Sequence, residues 1–364
     1  MEKSNIIPVR LYTDKLKSNF DALSQFGAIW YPMKSESNTA LLMELVPWLN
    51  KDPHGFSVKT LDHYRKLQKL KVPVSKMCLI DVLAEPAFIK FLYGEGVRNF
   101  VFDDLDALKS FTKYADLTKC RIHMRLNINE VLEDIELIHL GASVEDMQAM
   151  LYILQKKGCE DYGISFYVQS ELETAPTAFE DVLNFIVKTF CECGLKFINI
   201  GGSKSPADLQ ALKPRLDEIA AQLGVYFVLE PGRNLVGDTM DMASRIFRVK
   251  QAHDKTVVIL KNGIYGGLLD EKLYGKQFDL RLVDKDRTEI KIERMKTESA
   301  NYEFILYGQS SDSGDCFGSC FIPKGAADLL RAGTDVIIKD VGTYCLEFVL
   351  PIGGDIQFEF SQRL

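Results

Sequence analysis

The sequence lacks any long uninterrupted apolar stretch. No run approaches the roughly 20 apolar residues that a membrane-spanning helix requires. The first residues, MEKSNIIPVRLYTDKL, also lack the apolar core of a secretory signal. We therefore expect neither a membrane protein nor a protein directed to secretion.

Positive charge and cysteine are also in short supply. Lysine and arginine total 44 against 51 aspartates and glutamates, a net charge of −7. This balance argues against a nucleic-acid surface, because binding phosphate backbones requires clustered positive charge. The eight cysteines are too sparse for a disulfide scaffold, and Cys191/Cys193 and Cys316/Cys320 lack a second close pair at zinc spacing. We expect no metal and a reducing, cytoplasmic compartment.

What the sequence does contain is a long alternation of strand and helix patterns. Segments with helical apolar spacing separate eight short apolar runs. These strand candidates are AIWYPM (28–33), HGFSV (54–58), KMCLID (76–81), RNFVF (98–102), RIHMRL (121–126), GISFYVQ (163–169), KFINI (196–200) and VYFVLE (225–230). The alternation implies parallel strands joined by helices, and eight repeats predict a (β/α)8 barrel over residues 17–244.

The pattern changes after residue 244. The following runs are strand-like and are separated by Gly and Asp turns: SRIFRVKQ, KTVVILKNG, EFILYGQ, CFIPKG, DVIIKDVG and CLEFVLP. They predict an all-β domain over residues 245–364. The strand pattern within residues 1–16 would add to that domain.

Unusual residues follow several predicted barrel strands. Lys34 follows the first, Ser170 the sixth, Gly201-Gly202-Ser203 the seventh, and Glu230-Pro231-Gly232-Arg233 the eighth. Barrel enzymes carry their chemistry at this end of the strands. Lys34 is therefore either a strand-end lysine that reaches solvent or an amine held in place to form a Schiff base with a carbonyl.

The glycine pair after the seventh strand also has two interpretations. It is either a plain tight turn or a loop whose bare backbone N–H groups accommodate a phosphate. Glu230 and Arg233 favour the phosphate, because the loops after strands 7 and 8 form the common phosphate site of such barrels. A phosphate site, an amine and a carboxylate at one rim suggest pyridoxal 5'-phosphate (PLP).

Motifs along most of the chain resemble those of one enzyme family. In the barrel they are YPMKSESN, HMRL, GISFYVQS, NIGGS and EPGR, and in the β domain YGQSSDSGD and DVGTYC. In type and order they resemble the fold-type III PLP-dependent decarboxylases, the family of ornithine, diaminopimelate and carboxynorspermidine decarboxylases. The resemblance implies an alanine racemase-like barrel with a C-terminal β domain, and PLP-dependent amino-acid decarboxylation.

The resemblance also implies roles for individual residues. Lys34 would be the Schiff-base lysine, Glu230 the partner of the cofactor's ring nitrogen, and Ser311 a catalytic residue. The other residues expected to hold the cofactor are Arg125, Tyr167, Ser170, Gly201, Gly202, Gly232, Arg233 and Tyr344. Those expected to contact substrate are Asp312, Tyr274 and His139.

Departures from the family pattern affect the cofactor site and proton transfer. Tyr167 stands where the family stacks a histidine on the cofactor, and Phe56-Ser57 stands where it has Phe-Asp. Ser311 stands at the position of the proton-donating cysteine. The product would then be protonated by Ser311 through water, by nearby Cys316, or by another group.

Other departures affect the substrate. Gly275 occupies the position of the substrate-binding aspartate of ornithine decarboxylases. Asp312 is either a β-turn aspartate or the partner of a cationic group at the distal end of the substrate. These changes favour an unusual substrate, such as a conjugated or carrier-linked amino acid of a natural-product or siderophore pathway.

Two alternatives to a decarboxylase are a PLP-dependent racemase or epimerase and a non-catalytic decarboxylase homologue. The family resemblance also implies a homodimer in which the β-domain loop of one subunit completes the barrel site of the other. Lys34 and Glu230 would then act together with Ser311 and Asp312 of the second subunit.

Overall fold

The computed structural model describes residues 6–132, 140–168, 177–347, 349–350 and 357–361. The chain divides into two compact units: Ser18–Asn234, called the barrel unit below, and Met1–Lys17 with Leu235–Leu364, called the β unit. Among the described residues, no helix combines the length and apolar character needed to cross a bilayer.

The chain begins with strand β1 (Ile6–Leu11) and helix α1 (Thr13–Ser24). Eight parallel strands then close into a barrel, which confirms the predicted fold class. They are β2 (Ala28–Pro32), β3 (Gly55–Val58), β4 (Met77–Leu79), β5 (Asn99–Phe102), β6 (Arg121–Arg125), β7 (Asp161–Ser165), β8 (Phe197–Asn199) and β9 (Tyr226–Leu229). The register closes where Ala28 and Ile29 of β2 pair with Val228 and Leu229 of β9.

Seven helices separate or follow these strands in the described part of the barrel unit. They are α2 (Thr39–Leu49), α3 (Leu61–Lys69), α4 (Pro86–Gly94), α5 (Leu105–Phe111), α6 (Val144–Lys156), α7 (Ala178–Phe190) and α8 (Pro206–Leu223). Side-chain oxygens that accept a backbone N–H cap five of their N-termini, which fixes where those helices begin. The capping residues are Asn38, Thr60, Asp104, Ser143 and Ser205.

The barrel interior is a packed core rather than a pore. Buried side chains from five strands meet in one cluster: Ala28, Trp30, Cys78, Val101, Phe197 and Val228. His123 of β6 joins them, with its ring centroid 4.4 Å from that of Phe197. Burial lowers the pKa of His123 to about 3, so this histidine is neutral and structural.

The β unit is built on a mixed sheet. Its later strands are β10 (Met240–Ala252), β11 (Lys255–Leu260), β12 (Leu280–Val283), β13 (Glu289–Ile292), β14 (Tyr302–Tyr307), β15 (Cys316–Ile322), β16 (Asp335–Ile338) and β17 (Gln357–Ser361). The order is β13-β12-β16-β10-β11-β14-β15, and β1 pairs with both β10 and β17. Two short helices are α9 (Arg233–Val236), whose first two residues still belong to the barrel unit, and α10 (Asp270–Leu273).

The core of this sheet follows from its register. Val9, Met242, Ile338 and Leu280 are paired from strand to strand, and all four are fully buried. Alternate residues point to one face of a sheet, so one row of apolar side chains crosses four strands.

Two features of the β unit differ from the sequence prediction. The run CLEFVLP forms no strand over its described residues, since 345–347 form a turn and 349–350 have no regular secondary structure. Tyr344, which directly precedes this run, has φ of 60°, a left-handed backbone that a β-strand does not contain. Strands β12 and β13, which were not predicted, form a hairpin whose exposed faces carry charged residues, so no continuous apolar run marks them.

Candidate active site

A tight turn holds Lys34 at the end of β2. All five residues of β2 are buried, and the Ser35 N–H donates to the Pro32 carbonyl at 2.9 Å. Behind the turn, the Tyr31 hydroxyl donates to the Glu36 carbonyl at 2.7 Å. The backbone on both sides of Lys34 is therefore fixed, while solvent still reaches its side chain.

The surroundings of Lys34 favour its neutral amine. Partial burial is the main cause that lowers its pKa, and the nearby positive charges of Arg125 and Lys59 add to the effect. Glu230 and Asp81 oppose it with their negative charges. A lowered pKa increases the neutral fraction of the amine near pH 7, and the neutral amine is the nucleophile.

Glu230 follows β9 and is held by two neighbouring parts of the barrel. Its N–H donates to the Gly201 carbonyl at 2.8 Å. Its Oε1 accepts a 2.7 Å hydrogen bond from the hydroxyl of Ser57, which is fully buried in β3. The carboxylate is thus fixed in orientation by a neutral donor. The family's aspartate at position 57 would instead add a second negative charge.

The loop after β8 requires glycine twice. Gly201 has φ of 70°, and a Cβ there would lie 2.8 Å from Cδ2 of Tyr167. A Cβ on Gly202 would overlap the carbonyl oxygen of Glu230. The Asn199 side chain accepts the Gly201 N–H at 3.0 Å. The loop therefore lies directly against the Glu230 backbone, and glycine is needed there for this close approach.

The same loop is held from the other side by Asn234. The side-chain nitrogen of Asn234 donates to the carbonyls of Gly202 and Ser203 at 3.3 Å and of Lys204 at 2.8 Å. The Ser203 hydroxyl is buried and has no hydrogen-bond partner among the described residues. A buried hydroxyl of this kind needs a partner, which a bound phosphate oxygen would provide.

Arg125 is the last residue of β6. Burial lowers the pKa of its guanidinium, and the negative charges of Glu230 and Asp103 oppose this. Asp103 follows β5 and accepts the N–H of Gly141 at 2.9 Å. Arg125 therefore contributes a positive charge to the rim that carries Lys34 and Glu230.

Of the other predicted barrel residues, Tyr167 lies just after β7 and Gly232 and Arg233 lie just after β9. Ser170 and His139 lie outside the described residues. Their predicted contacts with cofactor and substrate stay predictions.

The remaining predicted residues belong to the β unit. Tyr274 is 62% exposed after α10, and Ser311 and Asp312 are exposed in the turn between β14 and β15. Tyr344 has a left-handed backbone, which is uncommon for a residue with a side chain.

The turn that carries Ser311 is rigid. Asp312 accepts hydrogen bonds from the Tyr265 hydroxyl at 3.0 Å and from the Gly314 N–H at 2.7 Å. Asp315 is buried and accepts from the N–H groups of Ile264 and Ser310 at 2.7 and 3.1 Å. Asp312 therefore has a structural role in the turn, and its exposed position also leaves it accessible to ligands.

Sequence reasoning missed three residues that shape these features: Ser57, Asn234 and Asp315. Ser57 was noted only as a departure from the family. A signal for Asn234 existed, since it directly follows the EPGR motif. Asp315 ends the motif YGQSSDSGD, whose buried aspartate fixes the backbone that presents Ser311.

The barrel rim fits PLP in three respects. It carries an amine of lowered pKa, a carboxylate held in orientation, and a glycine loop with a buried hydroxyl that has no hydrogen-bond partner among the described residues. Within the described ranges, no group of three or more His, Cys, Asp or Glu residues is arranged to hold a metal ion. The fold and site thus define a barrel suited to an aldehyde cofactor that carries a phosphate.

Comparison with known proteins identifies the family. Residues 13–237 match the family model of the pyridoxal-binding domain of pyridoxal-dependent decarboxylases. The match covers more than half of the chain, so the protein belongs to this family, as the motifs implied.

Individual relatives are distant. Ornithine decarboxylase of Neurospora crassa is 23% identical over 217 residues, which are 56% of this chain and 44%, less than half, of that protein. Antizyme inhibitor 2 of Mus musculus is 22% identical over 323 residues, which are 82% of this chain and 68% of that protein.

Among solved structures, the arginine decarboxylase of Paramecium bursaria Chlorella virus superposes with a TM-score of 0.80 at 16% identity. The superposition covers 98% of this chain and 96% of that one. At this identity the likeness shows the shared fold.

Proposed function

We propose that this protein is a PLP-dependent carboxy-lyase that removes the α-carboxylate of an amino acid or amino-acid-derived substrate. One observation carries the proposal: the Lys34 amine, with its lowered pKa, shares a rim with a Glu230 carboxylate that Ser57 holds at 2.7 Å. An amine and an oriented carboxylate are the two groups that this cofactor requires from a protein.

When bound, PLP supplies an electron sink for the negative charge left at the substrate's Cα when the carboxylate departs as CO2. Lys34 would hold the cofactor covalently through its neutral amine and release it to the substrate amine. Glu230 would keep a proton on the cofactor's ring nitrogen, and Ser57 would hold Glu230 in orientation for that contact.

The phosphate end of the cofactor would be held by Gly201, Gly202, Gly232 and Arg233, with Ser170 and Tyr344 as further predicted partners. The unpartnered Ser203 hydroxyl supports this assignment. Tyr167, which contacts the position of a Gly201 Cβ, would cover the ring face in place of the family's histidine. Arg125 would add positive charge at the rim.

The last step requires a proton at Cα. We propose Ser311, acting through water, as the donor of this proton, with Cys316 as the alternative donor. A hydroxyl is a much weaker acid than a thiol, so this step would be slow in comparison with a cysteine-bearing relative.

The substrate is proposed to be a conjugated or carrier-linked amino acid of a biosynthetic pathway for a natural product or siderophore. Gly275 offers no carboxylate to a short diamine-type substrate, and Asp312 is engaged by Tyr265 and Gly314. Asp312, Tyr274 and His139 are the residues proposed to contact the distal part of the substrate.

We further propose that the active unit is a cytoplasmic homodimer with shared sites. Lys34 and Glu230 belong to the barrel unit, whereas Ser311, Asp312 and Tyr344 belong to the β unit. A two-fold interface lets the β unit of each subunit serve the barrel of the other.

The test combines a spectrum with a substrate panel. The purified protein reconstituted with PLP is expected to absorb in the near-visible range, and amino acids with free or conjugated side chains are then scored for loss of CO2. Inversion at Cα without loss of CO2 would identify a racemase or epimerase instead.

A non-catalytic homologue is the second candidate. The similarity to antizyme inhibitor 2 over 82% of this chain favours it, together with Tyr167 and Ser311 at positions where the family has histidine and cysteine. A wild-type protein that takes up no PLP and releases no CO2 from any substrate would support this candidate.

A further inference from the structure

Asn234 occupies an unusual position in the barrel unit. It is the last residue of that unit and follows Glu230-Pro231-Gly232-Arg233 directly. Its side-chain nitrogen lies within hydrogen-bond distance of three consecutive carbonyl oxygens, those of Gly202, Ser203 and Lys204.

The chemistry of these contacts fixes the orientation of the amide. A side-chain oxygen in the same place would face three carbonyl dipoles of like sign, so the nitrogen must point toward the loop. The short bond of 2.8 Å reaches the Lys204 carbonyl, and the carbonyls of Gly202 and Ser203 lie at 3.3 Å.

These contacts have a consequence for the opposite side of the loop. Successive N–H groups of a turn that contains a left-handed residue, as Gly201 is here, can form a concave site for an anion, and the carbonyls held by Asn234 leave the opposite side of the loop to those N–H groups. The Ser203 hydroxyl, buried and unpartnered among the described residues, is a further donor in the same loop.

Neighbouring groups do not account for anion binding here. The Lys204 amine lies 4.9 Å from the ring centroid of Phe179, so its charge is directed onto that ring. At the start of α8, Ser205 and Asp208 satisfy each other in a capping box. Within this loop, the donors that remain for an anion are those of residues 202–204, which would act together with Arg233.

We infer that Asn234 is a positioning residue for the cofactor's phosphate: it holds the 202–204 carbonyls so that the N–H groups face the phosphate. The inference rests on the proposed function, because it takes the loop to be the phosphate site. It predicts that replacing Asn234 weakens the binding of a ligand that carries the phosphate group, and leaves the binding of the same aldehyde without phosphate nearly unchanged.

The experiment compares two ligands that differ only in that group. Full-length protein freed of cofactor is titrated with PLP and with pyridoxal, and binding is followed by absorbance. For Asn234→Ala we expect PLP affinity to fall by about 10- to 100-fold, the range for loss of hydrogen bonds that orient charged-ligand contacts. Pyridoxal affinity is expected to change by less than about twofold, because Lys34 is untouched.

The matched control is Asn184→Ala. Asn184 accepts a 2.6 Å hydrogen bond from Arg215 on the exposed surface of the same unit. This variant should bind both ligands like wild type. The 31P resonance of bound PLP provides a second readout, because a phosphate that loses its fixed donors should move toward the chemical shift of free PLP.

Each other outcome has a defined meaning. If Asn234→Ala binds neither ligand, Asn234→Ser, which keeps one donor, is measured, and equal losses for both ligands in that variant would overturn the inference. Wild-type binding of pyridoxal as tightly as PLP would also overturn it while leaving the Lys34 chemistry intact. If the wild-type protein binds neither PLP nor pyridoxal, that result would contradict the proposed function itself.

Discussion

The two units of this protein differ in how their candidate functional residues are held. In the barrel unit, Lys34 and Glu230 follow parallel strands of one closed barrel, and the Glu230 backbone bonds directly to Gly201. In the β unit, Ser311 and Asp312 are exposed on a turn that the buried Asp315 supports. Both units depart from the family pattern, the barrel unit at Ser57 and Tyr167 and the β unit at Gly275 and Ser311.

The two ways of holding residues correspond to two proposed tasks: cofactor binding in the barrel unit, and substrate contact with proton transfer in the β unit. Lys34, Glu230 and the glycine loop proposed to hold the cofactor are internal to the barrel unit, and the loop depends on a backbone position that tolerates no side chain, Gly202. Two of the groups proposed for substrate and proton transfer, Ser311 and Asp312, lie on an exposed turn that is held by hydrogen bonds of Asp312 and Asp315. The cofactor site therefore restricts sequence change much more than the substrate turn does.

The largest expected effect is that of Lys34→Ala, which removes the amine that would hold the cofactor. We expect complete loss of the near-visible band that borohydride traps, and turnover at background. Lys59→Ala, which removes a different lysine of the same rim, should keep the band. Trapping of PLP at another lysine in Lys34→Ala would contradict the assignment.

Glu230→Gln should lower turnover by about 10²–10³ while PLP stays bound, because its proposed role is electrostatic. Turnover and PLP affinity are measured separately, and Glu218→Gln, which changes an exposed carboxylate paired with Arg215, serves as the control. Near-wild-type turnover in Glu230→Gln would show that the ring nitrogen has another partner.

Mixing a protein altered in the barrel unit with one altered in the β unit tests whether the two units of different subunits form one site. Lys34→Ala and Asp312→Ala proteins should each be nearly inactive, and subunit exchange should restore up to roughly a quarter of wild-type activity, since half of the dimers would contain one intact site. Mass measurements verify exchange. Activity that stays at the mutant baseline after verified exchange, or a monomer in solution, would show that the sites are not shared.

Ser57→Ala should lower turnover by roughly tenfold, because it leaves the Glu230 carboxylate without the hydroxyl that orients it. Ser57→Thr keeps the hydroxyl and should restore most of the activity. Ser165→Ala is a close control, since the Ser165 hydroxyl is buried in β7 with no hydrogen-bond partner among the described residues. Equal effects of the two alanine variants would assign Ser57 to packing alone.

The smallest effect concerns pH. Lys59 is a like charge that lowers the Lys34 pKa, so its removal should raise that pKa. The rate of PLP capture by cofactor-free protein rises with pH as Lys34 loses its proton. Its midpoint should therefore move to higher pH in Lys59→Ala, by less than about one unit for a partly solvent-screened pair. A midpoint that moves to lower pH would contradict the assigned electrostatics.

The sequence predicted much of the barrel because its signals are local. All eight strands and Lys34 and Glu230 at their ends follow from apolar runs and the residues just after them. The bond between Ser57 and Glu230 joins residues 173 positions apart, and no periodic pattern encodes such a pair. Strands β12 and β13 escaped prediction for a related reason, since charged residues alternate along each strand with the apolar residues whose row continues into β16.

The position of Asn234 at the end of the barrel unit has a consequence for the newly made chain. The Lys34 turn is synthesised early, but Glu230 and Asn234 leave the ribosome only when the whole barrel has been made. At roughly 5–20 residues per second, translation delivers them on the order of 10 to 40 seconds after Lys34. A nascent chain therefore carries Lys34 without the burial and neighbouring charges that lower its pKa and without the loop proposed to bind the phosphate, so we expect cofactor loading to await the finished barrel.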